Sequence, residues 1–164
     1  MERLGLKKVE EFRTPLILND QISMRNRLAI APMASLTDIP FRSLCWRFGA
    51  GYTVSEMVTS KEGFWSTEKS RLRRLAVPGV DPWSVQIAGS DPAQMIETAK
   101  KLVQEGVQVI DINFGCPAKK VCRRLAGSAL LKDLDLIERI VSQLVNALDV
   151  PVTIKTRTGL TRAD

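Results

Sequence analysis

The cysteine in the segment Asn113-Phe114-Gly115-Cys116-Pro117 is the side chain best suited to chemistry in this sequence. A thiol acts as a nucleophile when it is ionised and as a proton donor when it is neutral. Gly115 allows an unusual backbone angle and Pro117 stiffens the exit of the chain, so together they would hold the thiol in a fixed pose. The alternative is a small buried thiol that only packs.

The sequence of 164 residues contains no histidine. This excludes a Ser-His-Asp triad, an imidazole general base and zinc ligation by histidine. Cys45, Cys116 and Cys122 form no Cys-x-x-Cys pair, so we expect neither a structural zinc site nor a disulfide framework. Reduced thiols are typical of cytoplasmic proteins. Cys45 falls on the apolar side of a predicted helix and Cys122 in a basic loop, which leaves Cys116 as the preferred reactive thiol.

Other polar side chains also follow apolar runs of the sequence. Lys155 ends one such run, and its charge could pair with an anionic group of a cofactor. Gln86 offers the donors and the acceptor that the edge of a heterocycle needs. Glu56 could orient its neighbours or hold a cation. The alternatives are a surface lysine, a satisfied core amide and a carboxylate without a functional role.

Basic residues exceed acidic ones, giving a net charge of +6 and a pI near 9.5. Four cations follow Cys116 closely: Lys119, Lys120, Arg123 and Arg124. Three upstream arginines could extend this cluster: Arg71, Arg73 and Arg74. A basic cluster beside a reactive thiol favours a phosphate-rich substrate, and the alternative is a solvated basic surface.

Alternating strands and helices must position these residues. Five apolar segments are predicted to be strands: 28–32, 52–56, 83–88, 107–113 and 151–156. Helices between them are predicted to begin at Thr37 or Asp38, at Ser90 or Asp91, and at Asp133 or Asp135. This alternation predicts parallel strands in sequential order with helices outside. A hairpin that turns at Asn19-Asp20 precedes the first strand and could plug the bottom of a barrel.

A doubly wound sheet and a (β/α)8 barrel both have this pattern. No Gly-x-Gly-x-x-Gly follows a strand, which disfavours the nucleotide-binding doubly wound sheet. In a barrel, reactive groups gather at the carboxyl ends of the strands, as the polar residues do here. A complete barrel needs about 200–250 residues, so residues 1–164 are expected to form about the first five β/α units.

Residues 1–11 lack the apolar core of a signal peptide, and no apolar run approaches the roughly 20 residues of a membrane span.

Six motifs together resemble the tRNA-dihydrouridine synthases, in particular their bacterial B type. In chain order they are Ala31-Pro32-Met33-Ala34, Thr37-Asp38-Ile39-Pro40-Phe41-Arg42, Ser55-Glu56-Met57, Val85-Gln86-Ile87-Ala88-Gly89, Asp111-Ile112-Asn113-Phe114-Gly115-Cys116-Pro117-Ala118-Lys119-Lys120-Val121 and Lys155-Thr156-Arg157-Thr158-Gly159. The resemblance runs from about residue 13 to the end of the chain. The block around Cys116 is highly specific, whereas other FMN barrels share something like the Ala-Pro-Met block.

The resemblance implies an FMN-binding (β/α)8 barrel and a C-terminal helical domain that helps to grip tRNA. NADPH or NADH reduces the FMN, the flavin gives hydride to C6 of a flipped-out uracil in tRNA, and a cysteine, here Cys116, protonates C5. No metal and no membrane are implied, and the full-length protein is expected to be monomeric and cytoplasmic.

The resemblance also implies roles for individual residues. Pro32, Met33 and Ala34 match the backbone that meets the flavin, and Gln86 and Lys155 match flavin contacts. Two residues match those that face the uracil: Asn113 and Arg157. The cations assigned to the RNA substrate are those of the basic cluster: Lys119, Lys120, Arg123 and Arg124.

This sequence departs from the family pattern in its second half. The family's His-x-Arg segment and its Gly-Arg pair for the FMN phosphate are absent, as are the later strands and the helical domain. We therefore expect these 164 residues alone to bind FMN poorly and to lack synthase activity. Two alternatives stay open: another FMN-dependent barrel oxidoreductase, such as a dihydroorotate dehydrogenase, and a truncated product that at most binds RNA weakly.

Overall fold

A computed structural model describes residues 12–61, 63, 65 and 67–159. Within these ranges the strands are β1 (Leu16–Ile17), β2 (Ser23–Met24), β3 (Ala29–Ile30), β4 (Tyr52–Thr53), β5 (Val58–Thr59), β6 (Ser84–Ala88), β7 (Val109–Asn113) and β8 (Val152–Lys155). The helices are α1 (Ile39–Arg47), α2 (Glu68–Arg74), α3 (Pro92–Gln104), α4 (Lys119–Cys122) and α5 (Leu134–Ala147), with a 3₁₀ helix at Gly127–Lys132. The signal-peptide prediction concerns residues 1–11, which lie outside the described ranges. None of the described helices has the length and apolar character needed to cross a membrane.

The strands that follow the hairpin are parallel and lie in sequential order, as predicted. β3 pairs with β4, and β5, β6, β7 and β8 form a continuous sheet in that order. A parallel bridge between Val54 and Ser84 connects the two sheets. Together with the helices, this arrangement is the first part of a (β/α)8 barrel.

The second predicted strand, 52–56, is divided in the structure. β4 ends at Thr53, and β5 begins only at Val58. Between them, the Ser55 hydroxyl donates to the Glu56 carbonyl (2.9 Å) and accepts from the Gln86 backbone N–H (3.2 Å). This hydroxyl takes the place of regular strand pairing, because it satisfies backbone groups that a neighbouring strand would otherwise bond.

Aspartates begin the three longest helices, which settles each pair of predicted caps. The Oδ1 atom of Asp38 accepts from the Phe41 N–H (2.9 Å), that of Asp91 from the Ala93 N–H (2.9 Å) and that of Asp133 from the Leu136 N–H (3.0 Å). Each carboxylate satisfies N–H groups that have no partner inside the helix. The segment 60–74, predicted as a short helix or loop, contains α2.

The main core lies between the central strands and the helices α3 and α5. Its strand residues include Ile87, Ile110 and Ile112, and its helix residues include Met95 and Ile140. A second cluster joins Met24 of the hairpin to the first residues of β4 and β7, Tyr52 and Val109. The hairpin therefore covers the amino ends of the strands, the end opposite to Cys116, as predicted.

The helix α1 differs from its prediction. The sequence places Cys45 on the apolar side of this helix, together with Phe41, Leu44 and Phe48, and this position predicts a core residue at Cys45. Instead, Leu44 and Phe48 are 48% and 83% exposed, and Cys45 is half-buried rather than a core residue. The buried side chain of α1 is Arg42.

Arg42 tolerates burial because backbone carbonyls accept its N–H groups. Its Nε donates to the Thr37 carbonyl (3.2 Å) and its Nη2 to the Leu75 carbonyl (3.0 Å). Burial lowers the pKa of Arg42, while the nearby carboxylates of Asp38 and Glu56 oppose that shift. The hydrophobic pattern of α1 therefore predicted burial wrongly, because none of the described residues covers its apolar face.

Candidate active site

Cys116 lies just beyond the carboxyl end of β7. The Phe114 N–H donates to the Lys155 carbonyl (2.9 Å), and Asn113 is the register partner of Lys155. Gln86 lies within β6, level with Asp111 of β7. Cys116 and Lys155 therefore lie at the same end of adjacent strands, as predicted, whereas Gln86 lies in the middle of β6 and is buried.

Asn113 holds the loop that carries Cys116. Its Oδ1 accepts from the N–H groups of Gly115 (3.2 Å) and Cys116 (2.9 Å). Its Nδ2 donates to Gln86 Oε1 (2.8 Å) and contacts the Met57 sulfur (3.6 Å). The polar atoms of this side chain are thus bonded within the protein, and they fix the backbone on either side of Gly115.

Asp111 lies beneath Asn113 and is only 4% exposed. Its Oδ2 accepts from Gln86 Nε2 (2.7 Å), and its Oδ1 accepts from the Thr153 hydroxyl (2.6 Å). Burial raises the pKa of Asp111, while the hydrogen bonds from Thr153 and Gln86 and the charge of Lys155 act in the opposite direction. Gln86 itself is 1% exposed and forms part of this buried network.

Of the two glycines near Cys116, the first does not have the role that the sequence predicted. Gly115 is not among the described glycines with positive φ, so the expected unusual backbone angle is wrong. A Cβ there would make ordinary contacts, the nearest with the Lys155 carbonyl oxygen at 3.4 Å, so neither the backbone angle nor the packing requires a glycine at this position. The left-handed residue is Gly127, with φ +65°, where a Cβ would lie 2.6 Å from the Cys116 carbonyl oxygen.

The loop after β3 contains Pro32, Met33 and Ala34, of which Pro32 is half-buried and the other two are exposed. The buried Thr37 hydroxyl accepts from the Met33 N–H (3.0 Å) and lies 3.1 Å from the Met33 carbonyl oxygen, to which it donates. Glu56 Oε2 accepts from the Ser35 N–H (2.6 Å). Two buried polar side chains therefore set the shape of this loop.

Glu56 also forms an ion pair with Arg73 of α2 (3.2 Å). Of its two predicted roles, the structure supports the first, in which it orients neighbouring groups. Within the described ranges, no group of three or more His, Cys, Asp and Glu residues could hold a metal ion.

A cavity of about 400 Å³ lies between α2 and the segment that follows Cys116. Its lining includes four cationic residues: Lys69, Arg73, Lys120 and Arg124. Apolar residues such as Met57, Val58 and Val121 form another part of the wall. The cavity combines apolar surface with positive charge, which suits a ligand that carries both a flat apolar group and a phosphate.

The predicted basic cluster is only partly brought together by this cavity. Lys120 and Arg124 line it, whereas Lys119 and Arg123 are exposed on the same segment and are not part of the lining. Of the three upstream arginines, Arg73 extends the cluster, and Arg71 is exposed outside the lining.

Arg74 does not extend the cluster, although the sequence suggested that it could. It is buried and pairs with Glu105 (3.0 Å) while lying 4.0 Å from the centre of the Trp65 ring. Burial between a carboxylate and an aromatic face gives this arginine a structural role.

Lys155 and Arg157 lie at the exposed edge formed by β8 and the residues after it. The other thiol of this region, Cys122, is half-buried, and its Sγ lies 3.6 Å from both the Cys116 carbonyl oxygen and the Ser128 hydroxyl. Cys122 therefore contacts the backbone of Cys116 and packs beneath the loop.

The sequence interpretation missed the supporting side chains Thr37, Asp111 and Thr153. Asp111 carried a detectable signal, because it is a charged residue within an apolar strand and lies two positions before Asn113, on the same face of β7. A buried charge needs specific partners, so this position indicated a polar network inside the sheet. Thr37 and Thr153 carried no comparable signal.

Comparison with known proteins agrees with this arrangement. Residues 29–164 match the family model described as dihydrouridine synthase. The chain is 56% identical over 141 residues to tRNA-dihydrouridine synthase B of Escherichia coli K12, covering 85% of this chain and 43% of that protein. It is 55% identical over 144 residues to the protein of the same name from Pseudomonas putida, covering 88% of this chain and 43% of that protein.

The chain thus spans less than half the length of the curated relatives that it matches. The part that is matched includes every strand from β3 to β8 and the Cys116 loop. On this evidence the chain belongs to the dihydrouridine synthase family.

Proposed function

We propose that this chain supplies the Cys116 side of a barrel that reduces the C5–C6 bond of uridine in tRNA. In this proposal the remaining barrel strands and a helical tRNA-binding domain complete the enzyme, and NADPH or NADH supplies the electrons. The observation that carries the proposal is the Cys116 loop: Asn113 holds its backbone just beyond β7, and the residues that follow, Ala118 and Lys120, line the cationic cavity, although Cys116 itself does not. The names of the relatives point to the same substrate.

The residues present fit the ring of FMN better than its phosphate. The exposed loop 32–34 offers backbone groups and the Met33 side chain, and Lys155 offers a cation at the same mouth. Gln86 is only 1% exposed and is bonded to both Asp111 and Asn113, so we propose that it supports the site from within the sheet and does not contact the flavin. The phosphate site of such barrels lies after the seventh and eighth strands. When it is bound, FMN supplies the hydride for C6 of the uracil.

Cys116 would donate the proton that C5 receives. Its backbone N–H donates to Asn113, and its carbonyl accepts from the Ser128 N–H (3.0 Å). The backbone that carries the thiol is therefore held in place on both sides. Such positioning reduces the entropy cost of reaching the geometry for proton transfer. We propose that Asn113 and Arg157 border the uracil and that the target base leaves its stack to reach them.

The cationic cavity would receive the RNA backbone near the target base. Lys69, Lys120 and Arg124 come from two different segments. Together with apolar residues they line this one cavity. Lysine and arginine side chains that neutralise phosphates make RNA binding dependent on salt. We propose that Lys119 and Arg123, on the exposed side of the same segment, contact the RNA further from the uracil.

This cavity also discriminates against the main alternative function. The substrate of an FMN barrel oxidoreductase that acts on a free pyrimidine base has no phosphate to place among these cations, and the FMN phosphate is expected elsewhere, after the seventh and eighth strands. The tRNA proposal uses the cavity and the free-base alternative does not. We further propose that the enzyme works where tRNA is found, in the cytoplasm.

A hybrid protein tests the proposal directly. In the Escherichia coli relative, the matching segment is replaced by this chain, and the hybrid is supplied with FMN, NADPH and unmodified tRNA. We expect dihydrouridine to form in the tRNA. The Cys116→Ala hybrid should keep the flavin absorbance but lose activity by about 10²–10⁴-fold, the usual contribution of a positioned acid.

Cys122→Ala is the matched control, since it removes the neighbouring thiol and should retain most activity. Normal turnover by the Cys116→Ala hybrid would remove Cys116 from the mechanism, and reduction of free pyrimidines instead of tRNA would favour the alternative. The chain of 164 residues alone is expected to bind FMN weakly and to form no dihydrouridine. A yellow, active preparation of the chain alone would overturn that expectation.

The cavity has its own test in tRNA binding by the same hybrid. Lys120→Ala should weaken binding and reduce its salt dependence, because one phosphate contact is lost. Lys132→Ala makes the same change of charge at an exposed lysine outside the cavity and should bind nearly normally. Equal binding by both variants would exclude the cavity as the RNA contact.

A further inference from the structure

The hydrogen bonds around Asp111 form a continuous chain that ends on the Cys116 loop. Gln86 donates to Asp111, Asn113 donates to Gln86, and the N–H groups of Gly115 and Cys116 donate to Asn113. Every bond in this chain points the same way, toward Asp111. All three side chains are buried, so water does not offer substitute partners.

The direction of this chain depends on its acidic end. An ionised carboxylate accepts hydrogen bonds and cannot donate them, whereas an amide side chain can do either, depending on which way it is turned. In its ionised form Asp111 must therefore face the nitrogen of Gln86, as it does in the structure, which leaves the oxygen of Gln86 facing Asn113. That oxygen must meet the nitrogen of Asn113, which leaves the oxygen of Asn113 facing the loop.

We infer that Asp111 is a positioning residue, which fixes the orientation of Gln86 and Asn113 and through them the backbone of Cys116. Reversal of either amide would place two oxygens or two nitrogens against each other in a buried site. The Thr153 hydroxyl on the other carboxylate oxygen and the Met57 sulfur on the second N–H of Asn113 hold the two ends of the chain in place. The inference depends on the proposed function only in assigning Cys116 its role as the acid.

Two substitutions of Asp111 separate its acceptor role from its charge and its volume. In Asp111→Asn, the oxygen of the new side chain can still accept from Gln86, while its NH2 group can donate to the Thr153 hydroxyl oxygen. The opposite orientation would turn the NH2 group of Asn113 toward the N–H groups of Gly115 and Cys116, which can only donate, so the direction of the chain is kept although the charge is lost. In Asp111→Leu, a side chain of similar size offers no acceptor, so Gln86 is no longer oriented.

The test measures the loop itself in the chain of 164 residues, without flavin or tRNA. Amide hydrogen exchange reports the bonds from the Gly115 and Cys116 N–H groups to Asn113, and iodoacetamide labelling reports the accessibility of the Cys116 thiol. Mass spectrometry after trypsin digestion separates the three cysteines, because cleavage after Lys119, Lys120 and Arg123 isolates Cys122 from Cys116. Cys45, which lies on α1, serves as the internal reference in each sample.

In Asp111→Leu, we expect exchange of the two amides to become about tenfold faster, since their acceptor is no longer held. We also expect Cys116 to be labelled several times faster than in the unsubstituted chain relative to Cys45. Asp111→Asn should stay close to the unsubstituted chain in both measurements. A folded Asp111→Leu chain with unchanged Cys116 behaviour, or an Asp111→Asn chain as altered as Asp111→Leu, would overturn the inference.

A measurement on the unsubstituted chain keeps the inference testable even if Asp111→Leu does not fold. Proton NMR should show the side-chain NH2 protons of Asn113 close to the Met57 methyl group. Proximity of those protons to the Cys116 amide proton would mean that Asn113 is turned the other way, which contradicts the inference. Neither measurement involves uridine reduction, so a failure of the proposed function would leave this result standing.

Discussion

The central strands β6 and β7 differ from the edge strands β3 and β8 in how well they are covered. Every residue of β6 and β7 is buried, whereas β3 and β8 contain only half-buried and exposed residues. Ile112 of β7 and Ile154 of β8 are register partners, yet they are 0% and 50% exposed. Identical side chains in adjacent positions thus have different surroundings, because α3 and α5 lie over the centre of the sheet.

This difference divides the candidate site into two parts. The hydrogen bonds that position Cys116 lie mostly between β6 and β7, where partners on both sides exclude water. Lys155 and Arg157, which we propose to meet the flavin and the uracil, lie at the exposed edge. The backbone of Cys116 is therefore held by the covered part of the sheet, while the proposed ligand contacts lie at its exposed edge.

The two isoleucines provide the strongest test of this comparison. Ile112→Ala should lower the free energy of unfolding by about 2–5 kcal/mol, because it leaves a cavity in a packed core. Ile154→Ala should cost less than about 1 kcal/mol, since the side chain is already half in water. Urea denaturation of both variants measures the difference. Similar losses would mean that the edge strand is as well covered as the centre.

The next largest effect is expected at Gly127, which packs against Cys116. Gly127→Ala should cost about 1–3 kcal/mol, because φ is +65° and the new Cβ would approach the Cys116 carbonyl oxygen. It should also change the labelling rate of the Cys116 thiol, since that carbonyl must move. Both effects can be followed by denaturation and by thiol labelling.

Gly79→Ala is the matched control for the backbone conformation. Gly79 has φ +74° and nothing within 4 Å of its ideal Cβ position, so the substitution adds strain without a clash. It should cost less than Gly127→Ala and leave Cys116 labelling unchanged. If both variants altered the labelling equally, contact with Cys116 would not be the cause.

The buried Asp111 predicts a smaller effect, which depends on pH. Its pKa is raised in the folded chain, so the folded state binds more protons than the unfolded state between the ordinary and the raised pKa. The free energy of unfolding should therefore fall as pH rises through that window. The groups that face Asp111 are Gln86, Thr153, Lys155 and Tyr52, and burial raises the pKa of Tyr52 to about 12, well above the window.

Denaturation of the unsubstituted chain and of Asp111→Asn across acidic pH measures this effect. The variant lacks the titrating group, so its stability should decrease less as pH rises through the window. An identical pH dependence for both chains would show that other carboxylates account for it.

The smallest effect on stability is expected on the exposed face of α1. Phe48→Ser should change the free energy of unfolding by no more than about 0.5 kcal/mol, because Phe48 is mostly in water. It should reduce self-association, since exposed apolar patches promote contacts between molecules. Sedimentation velocity at increasing concentration measures association. A large loss of stability would mean that this face is covered within a single chain.

The sequence was sufficient to predict the order of the elements. Pro40 and Pro92, with an aspartate before each, located two helix starts, and apolar runs located the strands within a few residues. These signals are local, because caps and strand periodicity depend on neighbouring positions.

What the sequence could not show depended on contacts between distant segments. The apolar residues of α1 predicted a buried face, but periodicity does not reveal whether another element covers it. The predicted backbone angle of Gly115 was wrong, because the left-handed glycine that packs against Cys116 is Gly127, eleven residues further along the chain. The charge of Asp111 within an apolar strand indicated a buried polar network, but its partners Gln86 and Thr153 are tertiary contacts that the sequence does not identify.

The parallel order of the strands also has a consequence for how the Cys116 loop is assembled during synthesis. The bonds from Gln86 to Asp111 and from Asn113 to Gln86 close 25 and 27 residues of sequence, whereas the bond from Thr153 to Asp111 closes 42. A chain emerges from the ribosome with its amino-terminal part first, so β6 and β7 can pair before β8 has been made. The orientation of Gln86 and Asn113 is therefore available early, and the arrival of Thr153 secures it.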